Sequence, residues 1–467
     1  MTPIHLMHIK GGMPMKYDVV IIGGGPGGYG CALSCAGYGL KTALVEKREL
    51  GGTCLNRGCI PTKTLLFTAG LLENLKKSSL FGIRDGRGEA DFEGLRKRSA
   101  QVVSTLRSGV AKLLRQRRVD VYQGIGKVIS PTLVEVKSKD GKSRLETDHI
   151  VLATGGAPSV PPIPGSTLPG VYTSDSFLEK LPEVKRLVII GGGVIGVEFA
   201  EAFRAFGAEV TIVEMMPRLL PPFDTDISRH LAALFRKKGI RIVTGAGVKK
   251  IEEKEGALSV SYELSGKEES LPADAVLIAT GRHPETRGLL PMEADMDRGF
   301  FKVNEHFETS VPGIYAIGDI VYGGIQLAHA AEAEGKAAAA AIAGKERAID
   351  MALVPQCVYT IPEIAAVGIS EDQAKKEGLS FKTSRVVMGS NAKSLIADEG
   401  GYMKIFTDQE NHMLGAQLLC SGADNLISEV SLAIAGRMTI EDFLKIIRPH
   451  PSVEESLGQA AEGILLK

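Results

Sequence analysis

Short apolar runs alternate along the chain with glycine-rich turns and helical stretches of small residues. Tyr17–Gly28 reads YDVVIIGGGPGG and Arg186–Gly196 reads RLVIIGGGVIG. An apolar run of this length, bounded by glycine, predicts a strand. Each run enters G-x-G-x-x-G: Gly23, Gly25 and Gly28 in the first, Gly191, Gly193 and Gly196 in the second. A small-residue helical stretch and a second strand follow, TALVE ending at Glu46 and VTIVE ending at Glu214. Twenty-three residues separate the first glycine from the acid in both units. One glycine fingerprint is weak evidence; two strand–turn–helix–strand–acid units are strong. The first glycine makes the tight turn, the second lets a pyrophosphate approach the backbone, and the third lets helix and strand pack closely. The helix N-terminus turns its positive end to the phosphates, and the acid accepts from a ribose hydroxyl.

HIVLATGG at 149–156 and AVLIATGR at 275–282 are further apolar strands, each placed to close one unit. GIYAIGD follows, with Gly318 and Asp319 ending another strand. The order predicts one nucleotide-binding domain inserted within another, with hinges at PSVPPIPG (158–165) and from Arg282 to about Asp297. Apolar residues at 95, 102, 103, 106, 110, 113 and 114 predict a helix over Leu95–Val119 with a basic outer face. A second, alanine-rich helix is expected at Ala328–Ala343. From about Pro355 strands and helices alternate without fingerprints, as in a third domain.

Composition narrows the class. Of 467 residues, 44% are hydrophobic and 24% charged, a folded globular composition. Lys+Arg and Asp+Glu both number 55, so no electrostatic footprint for nucleic acid or an anionic membrane is expected. The basic run RQRR reads as a solvated helix face. Six cysteines are too few for a disulfide-stapled secreted scaffold, and no apolar run reaches the roughly 18 residues of a membrane span. Met1–Lys16 lacks the apolar centre of a signal peptide. A vector remnant or a start upstream of Met15 is the plainer reading, and a cytoplasmic protein is expected.

LGGTCLNRGCIPTK, just after Glu46, sets Cys54 and Cys59 five residues apart. No second Cys/His pair stands at zinc-ligand spacing. On a regular helix that offset separates the Cα atoms by about 8–9 Å, whereas a disulfide needs roughly 4.4–6.8 Å. A distorted first turn could close the gap, and Gly58 supplies the freedom for one. A dithiol beside a dinucleotide-binding unit suggests electron exchange. Cys31, Cys35, Cys357 and Cys420 are expected in the core. From spacing alone Lys63 is a surface lysine. In IIRPHPSVEES, His450 lies between Pro449 and Pro451 with Glu455 five residues on, a general-base arrangement. From spacing alone, a C-terminal histidine more often has no special role.

Together GGTCLNRGCIPTK, the paired fingerprints, GIYAIGD with LAH at 327–329, and HPSVEE resemble the flavin-dependent pyridine-nucleotide disulfide oxidoreductases, in particular the branch acting on dihydrolipoamide. The resemblance runs from about Lys16 to the end. It implies an α/β fold of two Rossmann-like dinucleotide-binding domains, the NAD domain inserted in the FAD domain, plus a C-terminal α+β dimerisation domain. The implied division is a disordered leader (1–15), FAD-binding segments (16–157 and 282–354), an NAD-binding domain (158–281) and a dimerisation domain (355–467). Cys54 and Cys59 would form the redox-active disulfide, Cys54 exchanging with substrate and Cys59 facing the flavin. FAD would use Gly23, Gly25, Gly28, Glu46, Lys63, Gly126, Gly318, Asp319, Gln326, Leu327, Ala328 and His329, with Lys63 beside the flavin and paired with Glu198. NAD would use Gly191, Gly193, Gly196, Glu198, Glu214, Val248 and Gly281. His450 and Glu455 would serve the disulfide of a second subunit, implying a homodimer. The implied reaction oxidises protein-bound dihydrolipoamide and reduces NAD+. The lipoyl group would come from acyltransferase components of 2-oxoacid dehydrogenase complexes or from a glycine-cleavage H protein.

Relatives resembling glutathione reductase use NADPH, whose 2′-phosphate calls for arginines where this chain has Glu214, Met215 and Met216. Mercuric reductases call for a C-terminal cysteine pair, and soluble transhydrogenases lack the second thiol. A non-catalytic flavoprotein would have lost a thiol or the base, and all are here. Two departures stand out: Arg448 occupies the first position of the usual His-x-His, and Thr62 replaces a serine, with little effect expected.

Overall fold

The computed structural model describes residues 15–466 apart from 85, 87, 255 and 348. The expected leader lies outside the described residues except for Met15, which pairs with Leu145 at the start of the first strand. That strand, β1 (Met15–Ile22), buries Val19, Val20 and Ile21 completely, as an apolar run flanked on both faces must. It turns into α1 (Pro26–Gly37), followed by β2 (Thr42–Glu46), α2 (Gly52–Arg57), α3 (Cys59–Lys76) and α4 (Phe92–Gln116). β3 (Asp120–Gln123), β4 (Ile125–Ser130), β5 (Leu133–Ser138) and β6 (Gly141–Leu152) complete a sheet ordered β3-β2-β1-β6-β5-β4. Val20 of β1 stands opposite Ala43 of β2 and Ile150 of β6, both pairings parallel. The β4–β5 ribbon is antiparallel.

β7 (Gly156–Pro158) leads away to β8 (Val171–Thr173), α5 (Ser174–Lys180), β9 (Arg186–Ile190), α6 (Val194–Ala205), β10 (Glu209–Glu214), α7 (Thr225–Lys237) and β11 (Arg241–Thr244). An antiparallel meander of β12 (Ala246–Lys254), β13 (Ala257–Leu264) and β14 (Lys267–Ala273) precedes β15 (Ala275–Ile278). The second parallel sheet runs β11-β10-β9-β15-β8 and repeats the first unit. β16 (Arg282–Pro284) then pairs antiparallel with β7. This ribbon includes only Pro158 of the first expected hinge and Arg282–Pro284 of the second, at the place where the chain crosses between the sheets. After β17 (Met296–Asp297) and β18 (Phe300–Phe301), β19 (Ile314–Ala316) returns to β6, Ala316 opposite Leu152. The second sheet is therefore inserted into the chain of the first. Gly318 and Asp319 do not end that strand: they open a short 3-10 turn after it, where Glu334 accepts the Gly318 N–H. Glu334 belongs to α8 (Ala328–Ile342).

The remainder forms an antiparallel sheet, β20-β21-β24-β23-β22, covered by helices. Its elements are β20 (Gln356–Val358), β21 (Ile364–Gly368), α9 (Glu371–Glu377), β22 (Lys382–Val387), α10 (Ala392–Ala397), β23 (Tyr402–Thr407), β24 (Met413–Leu419), α11 (Ala423–Ala435), α12 (Ile440–Phe443) and α13 (Glu455–Leu465). One buried cluster joins helix α3 of the first unit to the second and third sheets, taking Leu65 and Leu66 from α3, Phe199 and Phe203 from α6, and Ile364 and Leu419 from the third sheet. On α4, Leu95, Val103, Val110 and Leu114 face inward while Leu106 and Leu113 stay exposed, so the apolar stripe is wider than the buried face. Cys31, Cys35 and Cys420 are buried as expected. Cys357 is a correction: it is half-buried, because β20 is an edge strand at the junction of the sheets.

The second and third sheets are also locked by charge. Lys404 of β23, its side chain 2% exposed, reaches Asp224 at 3.3 Å and Asp226 at 3.1 Å and also pairs with Glu371. Helix ends cap one another across this junction: Asp224 accepts from the backbone of Asp372 at 3.1 Å, and Asp372 accepts from the backbone of Thr225 at 3.1 Å. Burial raises the Glu371 carboxyl, but Lys375 and Lys404 outweigh it and hold the group at about 2. Stability contributed by Glu371 is therefore complete above its ordinary value of 4.5 and lost as pH falls toward about 2. Lys404→Met removes the buried cation from Asp224, while Asp226 keeps Arg229 and Glu371 keeps Lys375; it should cost about 3–5 kcal/mol, read as a lower urea midpoint at pH 7 that converges on the native protein's as acid neutralises the cluster.

Candidate active site

Both fingerprints build the same cradle. α1 and α6 begin at Gly25 and Gly193 without a side-chain cap, leaving their first N–H groups free for an anion. Gly23 and Gly191 turn at φ +112° and +113°, and a Cβ there would stand 2.1 Å from the Ala153 carbonyl oxygen and 2.4 Å from that of Ala279. A Cβ on Gly28 or Gly196 would strike the Gly23 or Gly191 carbonyl oxygen, at 1.8 and 2.0 Å. Glu46 accepts from the backbone of Gly24 at 2.7 Å and of Arg48 at 2.6 Å. Glu214 does the same for Gly192 and, at 2.6 Å, for Met216. Each acid is buried and fixed at the mouth of its cradle. Open space lies beside Gly193. These residues fit two dinucleotides.

The dithiol sits on a broken helix. Gly58 interrupts helical geometry between α2 and α3, at φ −142° and ψ −111°. The Cys54 and Cys59 Cα atoms close to 4.6 Å and the pair is a disulfide. A Cβ on Gly58 would press within 3.0 Å of the Thr53 carbonyl oxygen. Thr62 donates its hydroxyl to the Gly58 carbonyl at 2.7 Å, a bond that serine also makes. Asn56 binds the carbonyls of Leu50 and Gly52, and Arg57 pairs with Glu49 at 2.6 Å, pinning the preceding turn. Cys59 is the first residue of an 18-residue helix that no side chain caps, so the helix dipole favours its thiolate.

One turn along α3, Lys63 is no surface lysine. Its ammonium binds both carboxylate oxygens of Glu198 on α6, at 2.8 and 2.9 Å, and Glu198 is buried. Asp319 is buried enough to push its carboxyl up against the pull of Arg282, whose Nε lies 3.9 Å away. Arg282 also binds Asp175 and the Gly156 carbonyl, so this residue of the crossing ribbon faces the Asp319 turn. Gln326 donates to the Asp319 carbonyl at 3.3 Å. Leu327 and Ala328 start α8, while the His329 ring contacts the Pro355 carbonyl at 2.8 Å. Gly126 lies against Ile22 and Val45, where a Cβ would be 3.1 and 3.2 Å away. Val248 begins the bulged stretch of β12 and Gly281 accepts from the Ser159 backbone at 2.9 Å. Arg218, the cation after Met216, is engaged by Asp372 at 2.9 Å.

His450 and Glu455 meet as expected, Nδ1 to Oε1 at 2.9 Å, with the His450 side chain 73% exposed. The Ser452 N–H and then His450 hold the Glu455 carboxyl below its usual range. Arg448 turns inward: it pairs with Glu429, lies over the Phe443 ring at 4.5 Å and is 8% exposed. It therefore anchors the loop that carries His450.

The family described as pyridine nucleotide-disulphide oxidoreductase matches residues 17–335, and its dimerisation domain matches residues 354–461. The chain belongs to this family, whose members use FAD and NAD. It is 39% identical over 461 residues to a dihydrolipoyl dehydrogenase of Bacillus subtilis (strain 168), covering 97% of each chain. A dihydrolipoyl dehydrogenase of Trypanosoma brucei brucei is 36% identical, again with 97% of each covered. Among solved structures, the Cu(II) complex of the HOCl-induced flavoprotein disulfide reductase RclA from Escherichia coli gives a TM-score of 0.86 at 32% identity, covering 97% of this chain and 100% of that one. LpdA from Mycobacterium tuberculosis gives 0.88 at 25% identity, covering 96% and 99%. The dimerisation domain supports a homodimer, and among the described residues no helix is long and apolar enough to cross a membrane.

Sequence reading missed Glu334, buried at 1% on α8 and holding the Gly318 N–H beside Asp319. An acid spaced three and four residues from the buried Ala331 and Ala330 was its signal. Burial, opposed by the Gly318 N–H, pushes this carboxyl up to about 7. Because the folded value exceeds the unfolded 4.5, its contribution weakens as pH rises from about 4.5 to 7. Glu334→Gln keeps the acceptor without the charge. It should stabilise the protein at pH 8 by up to about 3 kcal/mol and leave it unchanged at pH 4, as read by urea unfolding at both pH values.

Proposed function

We propose that the protein is a dihydrolipoyl dehydrogenase, a homodimer that oxidises protein-bound dihydrolipoamide through Cys54–Cys59 and reduces NAD+. The carrying observation is a disulfide at the uncapped start of α3, one turn before a lysine fixed by an acid of the second fingerprint helix. The crossing ribbon of β7 and β16 supports the division into residues 16–157 and 282–354 for FAD, 158–281 for NAD and 355–467 for dimerisation. The fingerprint glycines, Glu46, Lys63, Gly126, Gly318, Asp319 and residues 326–329 would hold FAD. Gly191, Gly193, Gly196, Glu198, Glu214, Val248 and Gly281 would hold NAD.

His450, oriented by Glu455, takes a proton from one substrate thiol. The thiolate attacks Cys54, and Cys59 leaves as a thiolate that the dipole of α3 stabilises; a leaving thiol of low pKa departs faster. The second substrate thiol attacks the mixed disulfide and gives its proton to the Cys54 sulfur it expels, so lipoamide departs and the enzyme keeps both electrons as the Cys54 thiol and the Cys59 thiolate, with His450 protonated. The FAD these residues would hold would supply the electron acceptor for that thiol pair and the hydride donor for NAD+. Lys63, neutralised by Glu198, holds its charge on that path without unpaired burial. His450 would serve the partner subunit's disulfide. A lone chain leaves Phe67 on α3 71% exposed, Ile447 96% and Leu466 87%, apolar surface that a second copy would cover. Lipoyl-bearing acyltransferases or an H protein are the proposed partners, and the cytoplasm the proposed location.

Cys54→Ser and Cys59→Ser should each abolish dihydrolipoamide oxidation in a steady-state assay while FAD stays bound. His450→Gln should slow the same reaction by about 10²–10⁴-fold, with FAD content unchanged. NADP+ should support far less turnover than NAD+ at equal concentration; equal rates would sink the argument from Glu214.

A further inference from the structure

Lys63 has a third neighbour that none of the foregoing assigns. Tyr359 follows β20 in the third sheet, and the Lys63 ammonium lies 4.5 Å from the centre of its ring. The backbone N–H of Tyr359 donates at 3.0 Å to Glu198 Oε1, one of the two oxygens that bind Lys63. Lys63 comes from the first unit, Glu198 from the second and Tyr359 from the third sheet, so the three parts of the chain meet at one ammonium. The next turn of α6 repeats the attachment: Glu201 lies 2.6 Å from Lys238, which donates to the Ile361 carbonyl at 2.6 Å. The strip around Tyr359 is thus held along α6 at both ends. A π face attracts a cation without offering it a proton acceptor.

We infer that Tyr359 is a positioning residue that holds the Lys63 ammonium, through its ring and its grip on Glu198, in the one orientation that serves the flavin. This rests on the reading of Lys63 as the flavin-side cation. A fixed positive charge there favours reduced flavin, so loosening the lysine must shift the redox equilibrium of bound FAD.

The test uses full-length FAD-loaded protein in a Cys54→Ser/Cys59→Ser background, where the flavin alone takes up electrons, equilibrated with a reference redox dye. Tyr359→Leu should lower the ratio of reduced to oxidised FAD about threefold or more at fixed dye potential, and Tyr359→Phe should leave it unchanged. Lys63→Met should lower it further, and adding Tyr359→Leu to Lys63→Met should then do nothing. An unchanged ratio in Tyr359→Leu, or an undiminished effect on top of Lys63→Met, overturns the inference alone. An unchanged ratio in Lys63→Met overturns the flavin-side reading of Lys63 and the inference with it. If Tyr359→Leu does not fold, Tyr359→Met carries the same expectation, and a Tyr359→Phe shift as large as threefold overturns the role of the ring.

Discussion

Between Arg57 and Cys59 the chain leaves helical geometry for one residue, and that interruption brings two sulfurs five residues apart within bonding reach. A continuous helix would hold the Cα atoms about 8–9 Å apart; at Gly58 they close to 4.6 Å. The same break makes Cys59 the first residue of a new helix, in the field of eighteen aligned peptide dipoles. One local departure thus supplies both proximity and an asymmetric pair of sulfurs, of which only that of Cys59 begins a long helix.

That geometry is useful only if the flanking parts of the chain hold still. The buried cluster of α3, α6 and the third sheet fixes the redox helix against the second fingerprint unit. Ion pairs refine the fit, because a buried lysine such as Lys404, or a half-buried one such as Lys63, is tolerated only where carboxylates meet it. Both lysines stand at junctions between sheets, where a charge pair specifies one mutual arrangement among several that apolar packing alone would permit.

What could be read from the residues follows from how local each cause is. The fingerprints and their acids are encoded within about two dozen residues, and β1, β9, β6 and β15 lie where the apolar runs put them. The pairing of His450 with Glu455 was also visible at short range. The contacts of Lys63 were not, since its partners stand 135 residues away at Glu198 and far beyond at Tyr359. Cys357 was misplaced for the same reason: an apolar neighbourhood in sequence did not reveal an edge strand at a junction. The antiparallel ribbons of β4–β5 and β12–β14 carry strands without a glycine fingerprint or an unbroken apolar run, the two signals that marked the parallel strands.

Anaerobic titration of the FAD-loaded protein with dihydrolipoamide, followed by alkylation and peptide mapping, addresses the sulfur pair most directly. One equivalent should open the bond between Cys54 and Cys59, produce a long-wavelength absorbance from a thiolate against the flavin, and lose that absorbance when NAD+ is added. Bleaching of the flavin while those two residues stay bonded would contradict the relay, as would new thiols appearing elsewhere in the chain.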